Sequence, residues 1–131
     1  MSQTPNPQAA NDQSILVVDD HSTVRGTLSS ILAAGGFSVT EASDVPSATA
    51  ALETNGFRAI VTDLWMPGPS GLALVEEVER RGLRTPVILM SGSFRDLDPG
   101  DPRVDRLAGL LAKPLRAAAL LGLVRAVTGQ R

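Results

Sequence analysis

The sequence predicts an α/β fold in which a five-stranded parallel sheet is covered by helices on both faces. Five short apolar runs, most of them rich in Val, Ile and Leu, are each followed by a helical pattern. Most of these runs are continuous rather than alternating, which is typical of strands buried on both faces. Because strands and helices alternate with short connections, the strands are expected to be parallel. The length of 131 residues suits one domain.

The first two repeats carry clear helix boundaries. Residues 14–18 predict a strand, and Ser22 is the predicted N-cap of the helix that follows and stops at residues 35–36, both Gly. Residues 37–42 alternate as a second strand. Asp44 is the predicted N-cap of the second helix, with Pro46 in its first turn.

The last three repeats differ in their helices. The predicted strands span residues 58–62, 86–90 and 109–112. Ser70 is the predicted N-cap of a third helix over residues 71–81, and the last helix covers residues 116–127. The stretch 93–102 is poor in helix formers because it holds three Pro and Gly residues. The fourth helix is therefore expected to be short, with Asp101 as its cap and Pro102 in its first turn.

Bulk properties exclude several classes of protein. Residues 1–13 are polar without apolar periodicity and predict a disordered tail, which leaves residues 14–127 as the domain and 128–131 as a C-terminal tail. A net charge of −2 argues against nucleic-acid binding, and the absence of cysteine excludes a disulfide framework. No signal-peptide pattern and no apolar run long enough to span a membrane are present, so we expect a cytoplasmic protein.

Polar residues end four of the five predicted strands: Asp19 and Asp20, Asp63, Ser91 and Lys113. The carboxyl ends of parallel strands share one edge of the sheet, where ligands of such folds bind. Three crowded carboxylates repel one another unless a hard cation such as Mg²⁺ lies among them. Asp63 would be the nucleophile in phosphoryl chemistry, with Lys113 and Ser91 stabilising charge on the phosphoryl oxygens.

Each of these residues also has a simpler interpretation. An Asp pair after a strand is often a helix-capping turn, a lone Lys-Pro is usually at the surface, and a Ser after a strand commonly forms a turn. The conjunction at the correct ends of four strands favours the joint site. His21, the only histidine, is interpreted as a solvated loop residue, and Trp65, the only tryptophan, is expected at the rim of the site.

Four segments in this order and spacing resemble the receiver domain of two-component response regulators. They are residues 15–20 (ILVVDD), 63–71 (DLWMPGPSG), 90–92 (MSG) and 113–115 (KPL). The resemblance covers roughly residues 14–127. It implies a doubly wound, flavodoxin-like (βα)5 fold with strand order 2-1-3-4-5.

The resemblance also implies roles for individual residues. Asp63 would accept a phosphoryl group from a phosphohistidine on a histidine kinase or histidine phosphotransfer protein. Asp19, Asp20, Asp63 and the backbone carbonyl of Trp65 would hold Mg²⁺. Ser91 and Lys113 would contact the phosphoryl oxygens, and the Lys113–Pro114 bond is typically cis in this family. Such a protein is not an enzyme beyond its own phosphorylation and dephosphorylation.

Two departures from the family pattern bear on how phosphorylation would be passed on as a conformational change. Ser70 stands where Asp or Asn is usual before the loop glycine and keeps a capping side chain. Leu110 stands three residues before the lysine, where the family commonly has a Tyr or Phe that moves together with the hydroxyl residue. We therefore expect an atypical switch through Ser91, Leu110 and the 92–101 loop. The default surface for a downstream protein is formed by the fourth helix, fifth strand and fifth helix.

Several alternatives remain open at this stage. The chain is predicted to be a stand-alone phosphoacceptor, but it could be a receiver from a larger hybrid histidine kinase or a receiver-fold adaptor that is not phosphorylated. An aspartyl-phosphate phosphohydrolase would carry Asp-x-Asp after the first strand, whereas Asp19 and Asp20 are adjacent. An FMN protein would have a Ser, Thr or Gly-rich first loop in place of these acids.

Overall fold

The computed structural model describes residues 14–95 and 97–129 and confirms a parallel sheet of order β2-β1-β3-β4-β5. The strands are β1 (Ser14–Val18), β2 (Ser38–Ala42), β3 (Ala59–Asp63), β4 (Val87–Ser91) and β5 (Gly109–Ala112). The helices are α1 (Ser22–Ala34), α2 (Val45–Thr54), α3 (Leu72–Arg80), α4 (Pro102–Asp105) and α5 (Ala117–Thr128). The prediction of a tail over residues 1–13 lies outside the described residues.

The strand residues divide the core into two layers. Successive side chains of a strand point to opposite faces of the sheet. Leu16 and Ile60 therefore belong to a cluster that includes side chains of α2 and α3, whereas Val17 and Val61 belong to a cluster with α1 and α5. Because both faces are covered, β1, β3 and β4 tolerate apolar residues at nearly every position, which explains their continuous apolar runs.

Two of the four predicted helix caps are confirmed. The Asp44 carboxylate accepts a hydrogen bond of 2.9 Å from the backbone N–H of Ser47, whose hydroxyl accepts one from the Asp44 N–H and completes a capping box. The Asp101 carboxylate accepts from the N–H of Arg103 at 2.9 Å, and α4 is a single short helix of four residues. The turn chemistry of Asp101 and Pro102 thus predicted both its start and its shortness.

The other two predicted caps are wrong by one residue. The N-cap of α1 is His21, without a side-chain bond, and Ser22 is the first helical residue. The N-cap of α3 is Gly71, although the Ser70 hydroxyl still accepts a bond from the N–H of Leu72 at 3.3 Å. In both cases a backbone hydrogen bond to another strand holds the start of the preceding loop: the Asp19 N–H donates to the Ala42 carbonyl, and the Leu64 N–H donates to the Met90 carbonyl.

Candidate functional site

The register of the sheet brings the polar strand ends together. Val18 of β1 pairs with Thr62 of β3, so Asp19 and Asp63 are neighbours at the same edge. Asp63 in turn pairs with Met90, and the next residue, Ser91, pairs with Ala112 immediately before Lys113. The backbone N–H of Lys113 donates to the Ser91 carbonyl at 2.9 Å. The predicted convergence at the carboxyl edge therefore follows from the pairing of the strands.

Asp19 is completely buried and is held from several sides. Its carboxylate Oδ1 accepts a bond of 2.9 Å from the backbone N–H of His21, and its Oδ2 lies 3.2 Å from the Lys113 ammonium. The Arg25 guanidinium donates to the Asp19 carbonyl at 2.7 Å and pairs with Glu41 at 3.0 Å. Both the backbone and the carboxylate of Asp19 are therefore fixed in place.

Asp63 is the last residue of β3 and is 6% exposed. Burial raises the pKa of its carboxyl group, and the negative charge of the nearby Asp19 carboxylate raises this pKa further. The Lys113 ammonium, 3.3 Å from Oδ2, lowers the pKa and so opposes both effects. The next backbone N–H, of Leu64, donates to the Met90 carbonyl at 2.8 Å. Asp63 is thus a rigidly held carboxylate whose negative charge is only partly compensated by the protein.

Lys113 is the only lysine of the chain and bridges Asp19 and Asp63. It directly follows β5, and its bond to Pro114 is cis, as the family resemblance implied. Its side chain is 25% exposed, so the ammonium remains accessible from the pocket. One cation cannot neutralise the three carboxylates that lie at this edge.

Asp20 provides a test of whether a cation fits. Within residues 14–95 and 97–129, its Oδ1 is buried without a hydrogen-bond partner, which is costly for a polar atom, although His21 Nδ1 lies 3.3 Å away. One ligand atom each from Asp19, Asp20, His21 and Asp63 lies within 4.8 Å of the others. Oxygen atoms at this spacing suit a hard divalent ion, so the residues present fit Mg²⁺.

Ser91 lies at the end of β4, and its hydroxyl is engaged by its own loop. The hydroxyl donates to the Ser93 carbonyl at 2.6 Å and accepts from the Ser93 N–H at 3.2 Å, and Ser91 is 2% exposed. The side chain therefore has hydrogen-bond partners already, and any ligand of the pocket must compete with Ser93 for it.

Three further residues lie as follows. Trp65 is 54% exposed, and its place at the rim of the site stays a prediction. His21 is 67% exposed at its side chain, in agreement with a solvated loop residue, but its Nδ1 also lies 3.3 Å from Asp20. Leu110, in β5, is 45% exposed. Among the residues that the structure describes, Leu110 and Trp65 are the large apolar side chains that are exposed to solvent.

Sequence reasoning missed two residues that position the site. Arg25 supports the Asp19 carbonyl; its only sequence signal is a cation one turn into the helix after the acid pair. Gly71 packs so closely on the Asp63 carbonyl that a Cβ at this position would overlap the oxygen. The glycine in the 63–71 segment carried that signal, but the identity of its neighbour depends on the fold.

The fold and the pocket together define a class: doubly wound α/β proteins with a cluster of carboxylates and one lysine at the carboxyl edge of the sheet. The family model described as the response regulator receiver domain matches residues 15–125. The chain belongs to this family. Receiver domains are signalling modules rather than classical enzymes, and they generally bind Mg²⁺ at an acidic pocket.

Individual relatives agree with this assignment. The sensory transduction protein RegX3 of Mycolicibacterium smegmatis is 31% identical over 121 residues, which cover 87% of this chain and 50% of that protein. The transcriptional regulatory protein FixJ of Azorhizobium caulinodans is 34% identical over 114 residues, 87% of this chain and 54% of its own length. The chain thus spans about half the length of these curated relatives.

Solved structures of similar proteins support the fold. The chemotaxis response regulator CheY4 of Vibrio cholerae has a TM-score of 0.78 and 26% identity, covering 87% of this chain and 97% of its own. The receiver domain of NtrX from Brucella abortus has a TM-score of 0.78 and 28% identity, covering 89% and 99%. Within residues 14–95 and 97–129, no helix is both long and apolar enough to cross a membrane.

Proposed function

We propose that this receiver domain is a phosphoacceptor whose acceptor residue is Asp63. The observation that carries the proposal is the placement of Asp63: a buried carboxylate 3.3 Å from a lysine, beside the two acids at the end of β1. The proposed domain comprises residues 14–127.

In the proposed reaction, a carboxylate oxygen of Asp63 attacks the phosphorus of a phosphohistidine on a histidine kinase or histidine phosphotransfer protein. The P–O bond forms, the P–N bond breaks, and the imidazole leaves with the electron pair and takes up a proton. Lys113 stabilises negative charge on the phosphoryl oxygens. A bound Mg²⁺, held by Asp19, Asp20, Asp63 and the Trp65 carbonyl, would supply further charge neutralisation.

Ser91 would couple this chemistry to the output. When the hydroxyl moves to a phosphoryl oxygen, it gives up its bonds to Ser93 and frees the start of the 92–101 loop. Because Leu110 has no aromatic ring, this loop and the short α4 carry the change. A downstream protein would then bind the surface of α4, β5 and α5, on which Leu110 is exposed.

The test is labelling by acetyl phosphate. The wild-type protein is expected to gain one phosphoryl group only when Mg²⁺ is present, and Asp63→Asn is expected to abolish the labelling. Asp105→Asn, which removes an exposed acid in α4, serves as the matched control and should label normally. Labelling that survives in the Asp63 variant, or proceeds equally in EDTA, would refute the assignment.

The exposed Leu110 favours one alternative function, a receiver-fold adaptor that binds its partner without phosphorylation. Such an adaptor would bind the partner equally well in wild-type and Asp63→Asn protein, with or without Mg²⁺. The phosphoacceptor predicts instead that partner binding changes when beryllofluoride, a phosphoryl mimic, is added with Mg²⁺. Amide resonances recorded with and without these additions also identify which segments respond.

A further inference from the structure

The single histidine and the single lysine of the chain contact different oxygen atoms of the acidic pocket. Lys113 faces the Oδ2 atoms of Asp19 and Asp63, at 3.2 and 3.3 Å. The Nδ1 of His21 faces the Oδ1 atoms of Asp19 and Asp20, at 3.5 and 3.3 Å. Asp19 therefore contacts the imidazole through one carboxylate oxygen and the amine through the other.

The spacing on the imidazole side is that of ligands around a metal ion. An octahedral ion with bonds of about 2.1 Å places adjacent ligand atoms about 3.0 Å apart and opposite ones about 4.2 Å apart. His21 Nδ1 lies 3.5 and 3.3 Å from the Oδ1 atoms of Asp19 and Asp20, inside this range, whereas all four ligand atoms lie within 4.8 Å of one another, so the full set would contract slightly around one ion. Among the described residues, Asp20 Oδ1 is buried without a hydrogen-bond partner, and His21 Nδ1, 3.3 Å away, would form an ion pair with it only as a protonated imidazole.

The position of His21 is set by the backbone. Its N–H donates to Asp19 Oδ1 at 2.9 Å, and it is the N-cap residue of α1, so its Cα is tied to the first acid of the pocket. Its side chain is 67% exposed, which leaves the path from solvent to the acids open on this side. The ring can therefore adjust onto an ion without any change in the core.

We propose that His21 is a metal ligand and that it gives this pocket affinity for borderline divalent cations such as Ni²⁺ and Zn²⁺, in addition to Mg²⁺. Imidazole nitrogen suits Ni²⁺, Zn²⁺ and Cu²⁺, whereas Mg²⁺ prefers oxygen ligands. The ion is held by the His21 nitrogen together with carboxylate oxygens of Asp19 and Asp20. This inference rests on the proposed acidic cation pocket but not on phosphorylation of Asp63.

The test compares metal binding by calorimetry in the full, tag-free chain, using Mg²⁺, Ni²⁺ or Zn²⁺ alone in mildly alkaline buffer. A higher affinity for Ni²⁺ than for Mg²⁺ does not by itself support the proposal, because sites built from nitrogen or oxygen ligands generally bind Ni²⁺ more tightly. The decisive quantity is the effect of His21→Ala: Ni²⁺ and Zn²⁺ affinity is expected to fall about 10- to 100-fold or more, the range seen for loss of supporting residues at metal sites. Mg²⁺ affinity is expected to stay unchanged.

Two further measurements separate a ligand from a merely structural residue. His21→Asn keeps a polar side chain that can hydrogen-bond the acids, so recovery of Ni²⁺ affinity in this variant would overturn the proposal. Because the chain has one histidine, its ring C–H resonances report on His21 alone. We expect them to shift and saturate with Zn²⁺ and to stay in place with Mg²⁺.

The outcomes are distinguishable from a failure of the proposed function. Unshifted ring resonances at saturating Zn²⁺, or equal loss of Mg²⁺ and Ni²⁺ affinity in His21→Ala, would refute the role of His21 while the phosphoacceptor stands. If the wild type binds no Mg²⁺ but Zn²⁺ still shifts the ring resonances of His21, the Mg²⁺ part of the proposed function is refuted. The role of His21 as a ligand for Zn²⁺ and Ni²⁺ then still stands.

Discussion

Replacement of Gly71 by alanine tests how tightly the loop after β3 is packed on the site. An added Cβ would overlap the Asp63 carbonyl oxygen, inside the 3.0 Å that real Cβ atoms essentially never cross. Two further atoms would be crowded as well, because Leu89 Cδ1 and Thr62 Cγ2 would each lie 3.1 Å away. The φ of −56° at Gly71 is open to any residue, so the effect is purely steric.

The size of the effect follows from this geometry. Ordinary van der Waals contact begins at 3.4 Å, so the carbonyl and the new methyl group must separate by about 1 Å. A backbone oxygen on a central strand cannot yield as a flexible side chain does, and overpacking of this kind costs about 1–3 kcal/mol. With a urea m-value of about 1–3 kcal/mol/M, the unfolding midpoint should fall by roughly 1 M.

The assay is urea unfolding followed by far-UV circular dichroism, together with acetyl phosphate labelling. Gly71→Ala is expected to lose stability and to label more slowly, because Asp63 is displaced relative to Lys113. Gly92→Ala is the matched control: a Cβ at this position meets nothing within 4 Å and φ is not positive, so its stability should change little. A Gly71 variant as stable as the wild type would show that the α3 entry loop is not closely packed on β3.

Three other predictions follow from the structure. Because the fold raises the pKa of Asp63, the native state holds that proton more tightly than the unfolded chain, so the contribution of this carboxyl group to stability falls as pH rises above its ordinary pKa of 3.8. Asp63→Asn should therefore be more stable than the metal-free wild type at neutral pH but not in strong acid; a gain that persists in strong acid would contradict this cause. Gly122→Ala, in α5 with nothing within 4 Å of the new Cβ, should stabilise by about 0.5–1 kcal/mol through helix propensity, and a loss in urea unfolding would indicate an unseen contact. Leu28→Ala removes a buried side chain of α1 and should lower the free energy of unfolding by about 2–5 kcal/mol. Ala33→Gly, on the exposed side of the same helix, is the control and should lower it by no more than about 1 kcal/mol. Equal losses in the two variants would contradict the placement of Leu28 in the core.

The sequence predicted the fold because its local signals agree with one another. Continuous apolar runs separated by helical patterns leave little choice other than a parallel sheet covered on both faces. Helix starts were predicted correctly at Asp44 and Asp101, where a capping carboxylate is followed by a proline within two residues. They were displaced by one residue at Ser22 and Ser70, where a backbone hydrogen bond to another strand holds the start of the preceding loop.

The candidate site was predicted in part. The approach of Asp19, Asp63 and Lys113 could be inferred because parallel strands share an edge. The support of the Asp19 carbonyl by Arg25 could not be inferred, since it depends on the rotation of α1 over the sheet. Likewise, nothing in the order of residues indicates that the Ser91 hydroxyl is bonded to Ser93.

The sequence by itself determined the layers, the order of the elements and the residue types at the end of each strand, because these follow from periodicity and turn chemistry within a few neighbouring residues. Only the tertiary structure decided which charges face one another. In the part of the chain that the structure describes, Asp20 Oδ1 has no hydrogen-bond partner, His21 and Lys113 contact different oxygens of Asp19, and Leu110 is exposed. Such relations depend on register, helix rotation and burial, which are set by packing between segments far apart in the chain.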